Sequence, residues 1–148
     1  MDKKTEKKYD FGQAEQEIQH YWQEEKVYSY QYKTDQQATL SNTYSIDTPP
    51  PTVSGSLHIG HIFSYTQTDI IARYKRMSGY NVFYPLGFDD NGLATERFVE
   101  KKLNIQAHDL TRSDFIRLCL EQTVITEKEF EKLWKRVGLS IDWSLNYS

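Results

Sequence analysis

The chain has one cysteine, four prolines, two methionines and no long apolar run among its 148 residues. A single thiol, Cys119, excludes an internal disulfide and a cysteine-rich metal centre, as expected in a reducing compartment, and it reads as a small buried apolar residue. No stretch approaches the ~18 residues of a membrane span, and the lysine-rich start MDKKTEKKYD lacks the apolar centre of a signal peptide; a cytoplasmic location with no membrane partner is expected. Apolar residues, tyrosine included, make up only 38%. That is below the ~45–50% of typical domains and points to a piece of a larger fold. A net charge of −3 gives no basic field, so any contact with RNA needs a local patch. The length suits one domain or part of one, and there is neither a repeat nor a low-complexity tract.

What is there reads as α/β. The first eight residues are charged and are expected to fray, after which Ala14, Ile18 and Trp22 fall four apart on one face of a helix from Gln13 to Glu25. TYSID, 43–47, alternates as a strand and stops against Pro49, Pro50 and Pro51. A helical pattern from Leu57 to Met77 places Ile62, Tyr65, Ile70 and Tyr74 inward and ends at Ser78-Gly79. YNVFYP gives a second strand, Tyr80 to Tyr84. Strand, helix and strand form a βαβ unit, which requires parallel strands. A short helix over Thr95–Lys102 follows. A long one then opens with Thr111 as N-cap and Asp114 three positions on, and runs to Gly138 with Leu118, Cys119, Ile125, Phe130, Leu133, Trp134 and Val137 as its apolar positions. SIDW, 140–143, is a candidate third strand. Two or three strands make an unfinished parallel sheet.

In open α/β sheets ligands bind beyond the carboxyl ends of strands, which is where PPPTVSGSLHIGH, 49–61, lies. Ser54, Gly55, Ser56 and Gly60 let the backbone approach a bound group closely, and free N–H groups at a helix start favour anions. His58 and His61, three apart in the first turn, would share a face beside that partial positive charge. Two histidines at a helix start can also simply cap it and face solvent. Zinc is a poorer fit, because H-I-G-H lacks the H-E-x-x-H spacing and Cys119 is a lone thiol on another helix. The triple proline, the small residues and the strand context together favour phosphate. In GFDDNG, Asp89 either helps build a turn or, after the second strand, supplies a carboxylate to a cationic ligand group. Arg73, Lys75 and Arg76, and Lys128, Lys132, Lys135 and Arg136, read as solvated helix faces.

PPPTVSGSLHIGH resembles the first signature of the class I aminoacyl-tRNA synthetases, and the triple proline before SGSLHIGH is similar to their valine-specific branch. The likeness continues through SYTQTDIIARYKRMSGYNVFYPLGFDDNGLATERFVEK and extends from about Phe11 to DWS near the C-terminus. It implies the first part of a Rossmann-type parallel-sheet nucleotide-binding domain over 43–148, preceded by an N-terminal helical extension over 1–42. It also implies an enzyme that joins valine to ATP, with magnesium accompanying the nucleotide, and passes the valyl group to its tRNA. By position, His58 and His61 would touch the ATP phosphates, Gly60 would leave room for adenine, Pro50 and Thr52 would border valine, and Asp89 would hold its ammonium. Thr52, Phe88, Asp90 and Asn91 depart from the residues frequent at these points in valyl enzymes. The family's second signature, K-M-S-K-S, does not occur in the sequence. The editing insertion, the later half of the sheet and the anticodon-binding domain are absent as well, so the chain is expected to be the N-terminal portion of a larger enzyme, inactive alone. A free-standing, noncatalytic paralogue that binds nucleotide or a partner protein is the alternative of a different class. An adenylyl-transfer enzyme of the same superfamily fits the long match less well.

Overall fold

A computed structural model describes residues 9–32, 42–90 and 92–148. The charged start and Asn91 lie outside the described residues. Helix α1 spans Phe11–Glu24, starting two residues earlier than the apolar spacing predicts, because Asp10 accepts a bond from Gln13 N at 3.1 Å and opens the helix there. Strand β1 is Thr43–Ser45, helix α2 Ile59–Met77 and strand β2 Asn81–Phe83. The strands pair in parallel, Thr43 with Asn81, Tyr44 with Val82 and Ser45 with Phe83, so the βαβ unit stands. Both strands are shorter than read, although Ile46 N still donates to Phe83 O at 2.9 Å before the prolines end the ladder. Helix α3 covers Leu93–Leu103 and α4 Arg112–Val137. Thr111 caps α4, accepting from Asp114 N at 3.2 Å, and Gly138 ends it at φ +81°, a conformation open to glycine.

The third strand did not form at SIDW. Ile141 and its neighbours are buried outside any strand, and Asp142 N donates to Tyr84 O at 3.0 Å. The Asp142 carboxylate then accepts from Ser144 N at 3.1 Å and Ser144 Oγ at 2.6 Å, which turns the chain into a single 3-10 turn, Trp143–Leu145. Pairing resumes only as one parallel bridge, Gly87 with Tyr147.

Val53, Val82, Tyr84, Leu86, Trp134 and Ile141 are buried at the centre of the core, with the Tyr65 and Trp134 rings 4.7 Å apart joining α2 to α4. Ile70 and Tyr74, expected inside, are exposed; Tyr65, Asp69 and Ala72 hold the inner face of α2 instead. On α4, Ile125 is likewise exposed, while Thr123 and Thr126 are buried, each hydroxyl bonded back to a carbonyl of its own helix.

A buried carboxylate at Asp69 explains the reversal on α2. It accepts from Ser140 N and Ser140 Oγ, both at 2.6 Å, and from Arg73 Nε at 2.7 Å. Arg73 also donates to Tyr28 Oη at 3.0 Å and to Gly138 O. Arg76 donates to Ser140 Oγ at 2.6 Å and Ser140 O at 2.7 Å. Both guanidinium groups lie over the Tyr28 ring, and that of Arg73 also over Trp22. Arg73 and Arg76 are therefore not a solvated face; they tie the segment after α1 and the segment after α4 to α2. On α4 the solvated reading holds for Lys128, Lys132 and Arg136, which are exposed, whereas Lys135 pairs with Glu131 and lies over the Trp143 ring.

Candidate functional site

The carboxyl ends of β1 and β2 lead into two segments that run side by side. Asp89 N donates to Pro51 O at 3.0 Å, Val53 N donates to Asp89 O at 2.9 Å, and Thr52 and Asp89 form a parallel bridge. Thr52 Oγ1 also donates to Asp89 Oδ2 at 3.1 Å. The backbone thus fixes Asp89 against the proline segment, and the threonine hydroxyl holds its carboxylate. Thr52 is exposed, Asp89 is half-buried, and Pro50 lies exposed two positions before Thr52. Upstream, Tyr65 Oη donates to Pro49 O at 2.6 Å. Burial raises the Tyr65 phenol to about 12, so it stays a donor at neutral pH and fastens the proline run to α2.

His58 and His61 both cap α2, as the solvent-facing alternative anticipated. Gly60 N donates to His58 Nδ1 at 3.1 Å, and His58 N donates to His61 Nδ1 at 3.2 Å, a reciprocal capping box made of two imidazoles with ring centroids 4.0 Å apart. A nitrogen that accepts must be unprotonated, so each neutral ring carries its proton on Nε2. Burial, followed by the neighbouring His58, lowers the pKa of His61 and favours this neutral form.

The helix start differs from expectation in one respect. Gly60 N–H is taken by His58 Nδ1, and His61 N–H by His58 O at 2.9 Å. Two of the backbone donors expected to face an anion are therefore occupied, and the imidazole Nε2–H groups are further donors at this helix start. Gly60 matters for a local reason: a Cβ there would stand 2.9 Å from His58 Cε1, so only glycine admits the capping ring without a shift.

Two contributors were missed in the sequence. Tyr65 was read only as an inward apolar residue, although a tyrosine one helix away from a proline run has a hydroxyl that must find an acceptor. Asp90 and Glu127 were not linked. Burial, then a hydrogen bond and the charge of Asp90, push the Glu127 carboxyl up to about 7, and no sequence spacing brings residues 90 and 127 together. Among the described residues no group of three or more His, Cys, Asp or Glu could hold a metal, and no helix is long and apolar enough to cross a membrane.

The model of the family described as tRNA synthetases class I (I, L, M and V) matches residues 17–148. Valine–tRNA ligase of Rickettsia conorii (strain Malish 7) is 52% identical over 141 residues, 95% of this chain and 17% of that protein. The ligase of Rickettsia prowazekii (strain Madrid E) gives the same identity and shares. Among solved structures, the LeuRS of Agrobacterium radiobacter K84, in a ternary complex with tRNA and LeuAMS, superposes at a TM-score of 0.75 with 21% identity. The match covers 95% of this chain and 16% of that one, and it concerns the fold alone. The chain thus spans about a sixth of the length of the curated relatives it matches.

Proposed function

The chain belongs to the class I tRNA synthetase family, and from that premise we propose that it supplies the amino-acid pocket and the first phosphate-binding element of a valine-activating site. One observation carries the reading: the parallel strand ends hold Asp89 against Pro51-Thr52-Val53, while α2, anchored to Pro49 by Tyr65, presents the two histidines at its start.

In this reading residues 43–148 form the first half of the catalytic domain and 1–42 a helical extension. Valine's carboxylate is already ionised at neutral pH, so its attack on the α-phosphorus of ATP requires no general base. A carboxylate oxygen bonds to the α-phosphorus, the bond from that phosphorus to the bridging oxygen breaks, and pyrophosphate leaves with the electron pair. The difficulty is alignment and the negative charge on phosphate. His58 and His61, neutral with Nε2–H donors, suit that charge without adding a proton to the reaction. Gly60 keeps this corner low enough for the nucleotide to approach. Asp89 offers its carboxylate to the valine ammonium, and Pro50 and Thr52 line the side-chain wall, the ring of Pro50 giving it a fixed φ. Magnesium would come as the counter-ion of the ATP phosphates. The valyl group would pass to valine tRNA in the longer polypeptide of which such a segment forms part.

The test uses the Rickettsia conorii ligase with this chain in place of its aligned segment. Valine-dependent exchange of pyrophosphate into ATP is expected for this chimera and not for the isolated chain, which has no K-M-S-K-S. Asp89→Asn should slow valine and threonine activation alike, because both carry the same ammonium. A large change in their ratio would show that Asp89 reads the side chain, and an active isolated chain would overturn the division of labour.

A further inference from the structure

Helix α4 steadies both walls of the candidate pocket. Trp134 packs on Tyr65, with ring centroids 4.7 Å apart, and Tyr65 donates to Pro49 O, so the proline wall is referred to α4. Two turns earlier on the same face of that helix, Glu127 is in hydrogen-bonding contact with Asp90, the neighbour of Asp89. The bridge between the strand ends pairs Thr52 with Asp89, and Asp90 follows it, gripped through its side chain. A contact between two carboxyl groups is a bond only when one of them keeps its proton, because two carboxylates at that range repel. The surroundings make the same demand. Asp90 Oδ1 and Glu127 Oε1 are both buried, and among the described residues neither receives a bond from an N–H or O–H group. A buried charged oxygen without a donor is costly, and one shared proton both removes a charge and supplies the donor.

We propose that Glu127 is a positioning residue for valine activation: its neutral carboxyl donates to Asp90 and so sets the segment from which Asp89 offers its carboxylate to the valine ammonium. The inference rests on the functional reading above for the role of Asp89. Glu127 is the acid that holds the proton, since burial first, and then Asp90, push its carboxyl up to about 7. The charged groups that bear on it are both acidic: Asp90 from the loop before α3, and Glu131 one turn along α4, which is itself paired with Lys135. Helix α3, also packed on α4, brings its Glu96 and Glu100 toward Cys119 instead. When Glu127 loses its proton, the contact becomes a repulsion, and Asp90 is driven off with Asp89 attached to it. An added negative charge would by itself draw an ammonium in, so the two effects have opposite signs and can be told apart.

Valine-dependent pyrophosphate exchange by the chimera, with KM for valine and kcat measured from pH 6 to pH 8, tests this. Binding through the protonated pair is weakened by the fraction of chains that lack the proton, so the wild-type KM should rise about tenfold over this range while kcat hardly moves. Titration of ATP, valine and the histidines is common to all variants, so each KM is read against that of Glu127→Gln at the same pH. Glutamine donates from its amide at every pH and should hold the low KM throughout. Asp90→Asn donates to an ionised Glu127 from the other side and should flatten the profile as well. Glu127→Ala leaves Asp90 without a donor, and its KM should already be high at pH 6. A melt of the isolated chain checks that the alanine variant is folded, and where it is not, the glutamine and asparagine profiles decide. Parallel profiles for wild type and Glu127→Gln overturn the proposal. So does a wild-type KM that falls relative to glutamine as the pH climbs, which would make Glu127 a charge for the ammonium. Asp89→Asn separates the two readings: an unchanged KM for valine there fails the functional reading, whereas a raised one beside parallel Glu127 profiles fails the positioning role alone.

Discussion

Replacing His58 by asparagine separates two roles that alanine would remove together. The His58 ring accepts one bond, from Gly60 N at 3.1 Å, while the reciprocal bond from His58 N to His61 Nδ1 uses backbone and survives any substitution at 58. His58→Ala therefore loses one exposed capping bond. That should cost about 0.5–1 kcal/mol, or about 1–4 °C in the melting temperature of a chain this size. Asparagine is among the best N-cap residues, and its side-chain oxygen reaches the same N–H, so His58→Asn should melt within about 1 °C of the parent. Neither variant keeps an imidazole Nε2–H. If that group stabilises charge on the α-phosphate, both should lose on the order of 10²–10³ in pyrophosphate exchange within the chimera, with little change in ATP affinity. Thermal melts of the chain and exchange kinetics of the chimera read the two effects independently. A stable asparagine variant with wild-type exchange would refute the phosphate role and leave His58 as a cap alone. An asparagine variant as unstable as alanine would refute the capping geometry.

Other consequences can be checked on the isolated chain. The folded-state pKa of His61 lies below its unfolded value near 6.5, so its contribution to stability is complete above that pH and is lost as the pH falls through the lowered value; urea midpoints should drop on acidification, and less so in His61→Gln. Glu127 has the opposite sign. Raised to about 7, it contributes stability below its unfolded pKa that disappears as the pH climbs through 7, so Glu127→Gln should stabilise the chain at pH 8 and lose that advantage near pH 4. Asp69→Ala leaves Arg73 and the Ser140 N–H without their buried acceptor and should cost about 3 kcal/mol, measured by urea unfolding.

The order of elements, the parallel pairing, the caps at Thr111 and Gly138 and the juxtaposition of the proline loop with Asp89 were legible because each rests on local chemistry or on a topological rule. Ile70 and Tyr74 were misplaced for a physical reason. Periodicity reveals that a helix has an apolar face and does not say which side faces the core, and the partner that decided it, Ser140, is 71 residues from Asp69. SIDW has strand composition, but its aspartate bonds locally to Ser144 and the chain turns there. Capping by His58 and His61 was one of two readings open in the sequence, and their reciprocal bonding was not legible, since a motif shows which residue types are present and not which nitrogen is already engaged.

The long reach from Asp69 to Ser140 also sets an order of events during synthesis. Helix α2 emerges from a ribosome complete by Met77, yet until Ser140 follows, its carboxylate and two guanidinium groups lack the hydroxyl and backbone groups that receive them. Over that interval the inner face, apolar at Tyr65 and Ala72, keeps at its centre a carboxylate without the Ser140 donors that satisfy it. The βαβ unit is therefore expected to settle only once the segment after α4 has been made.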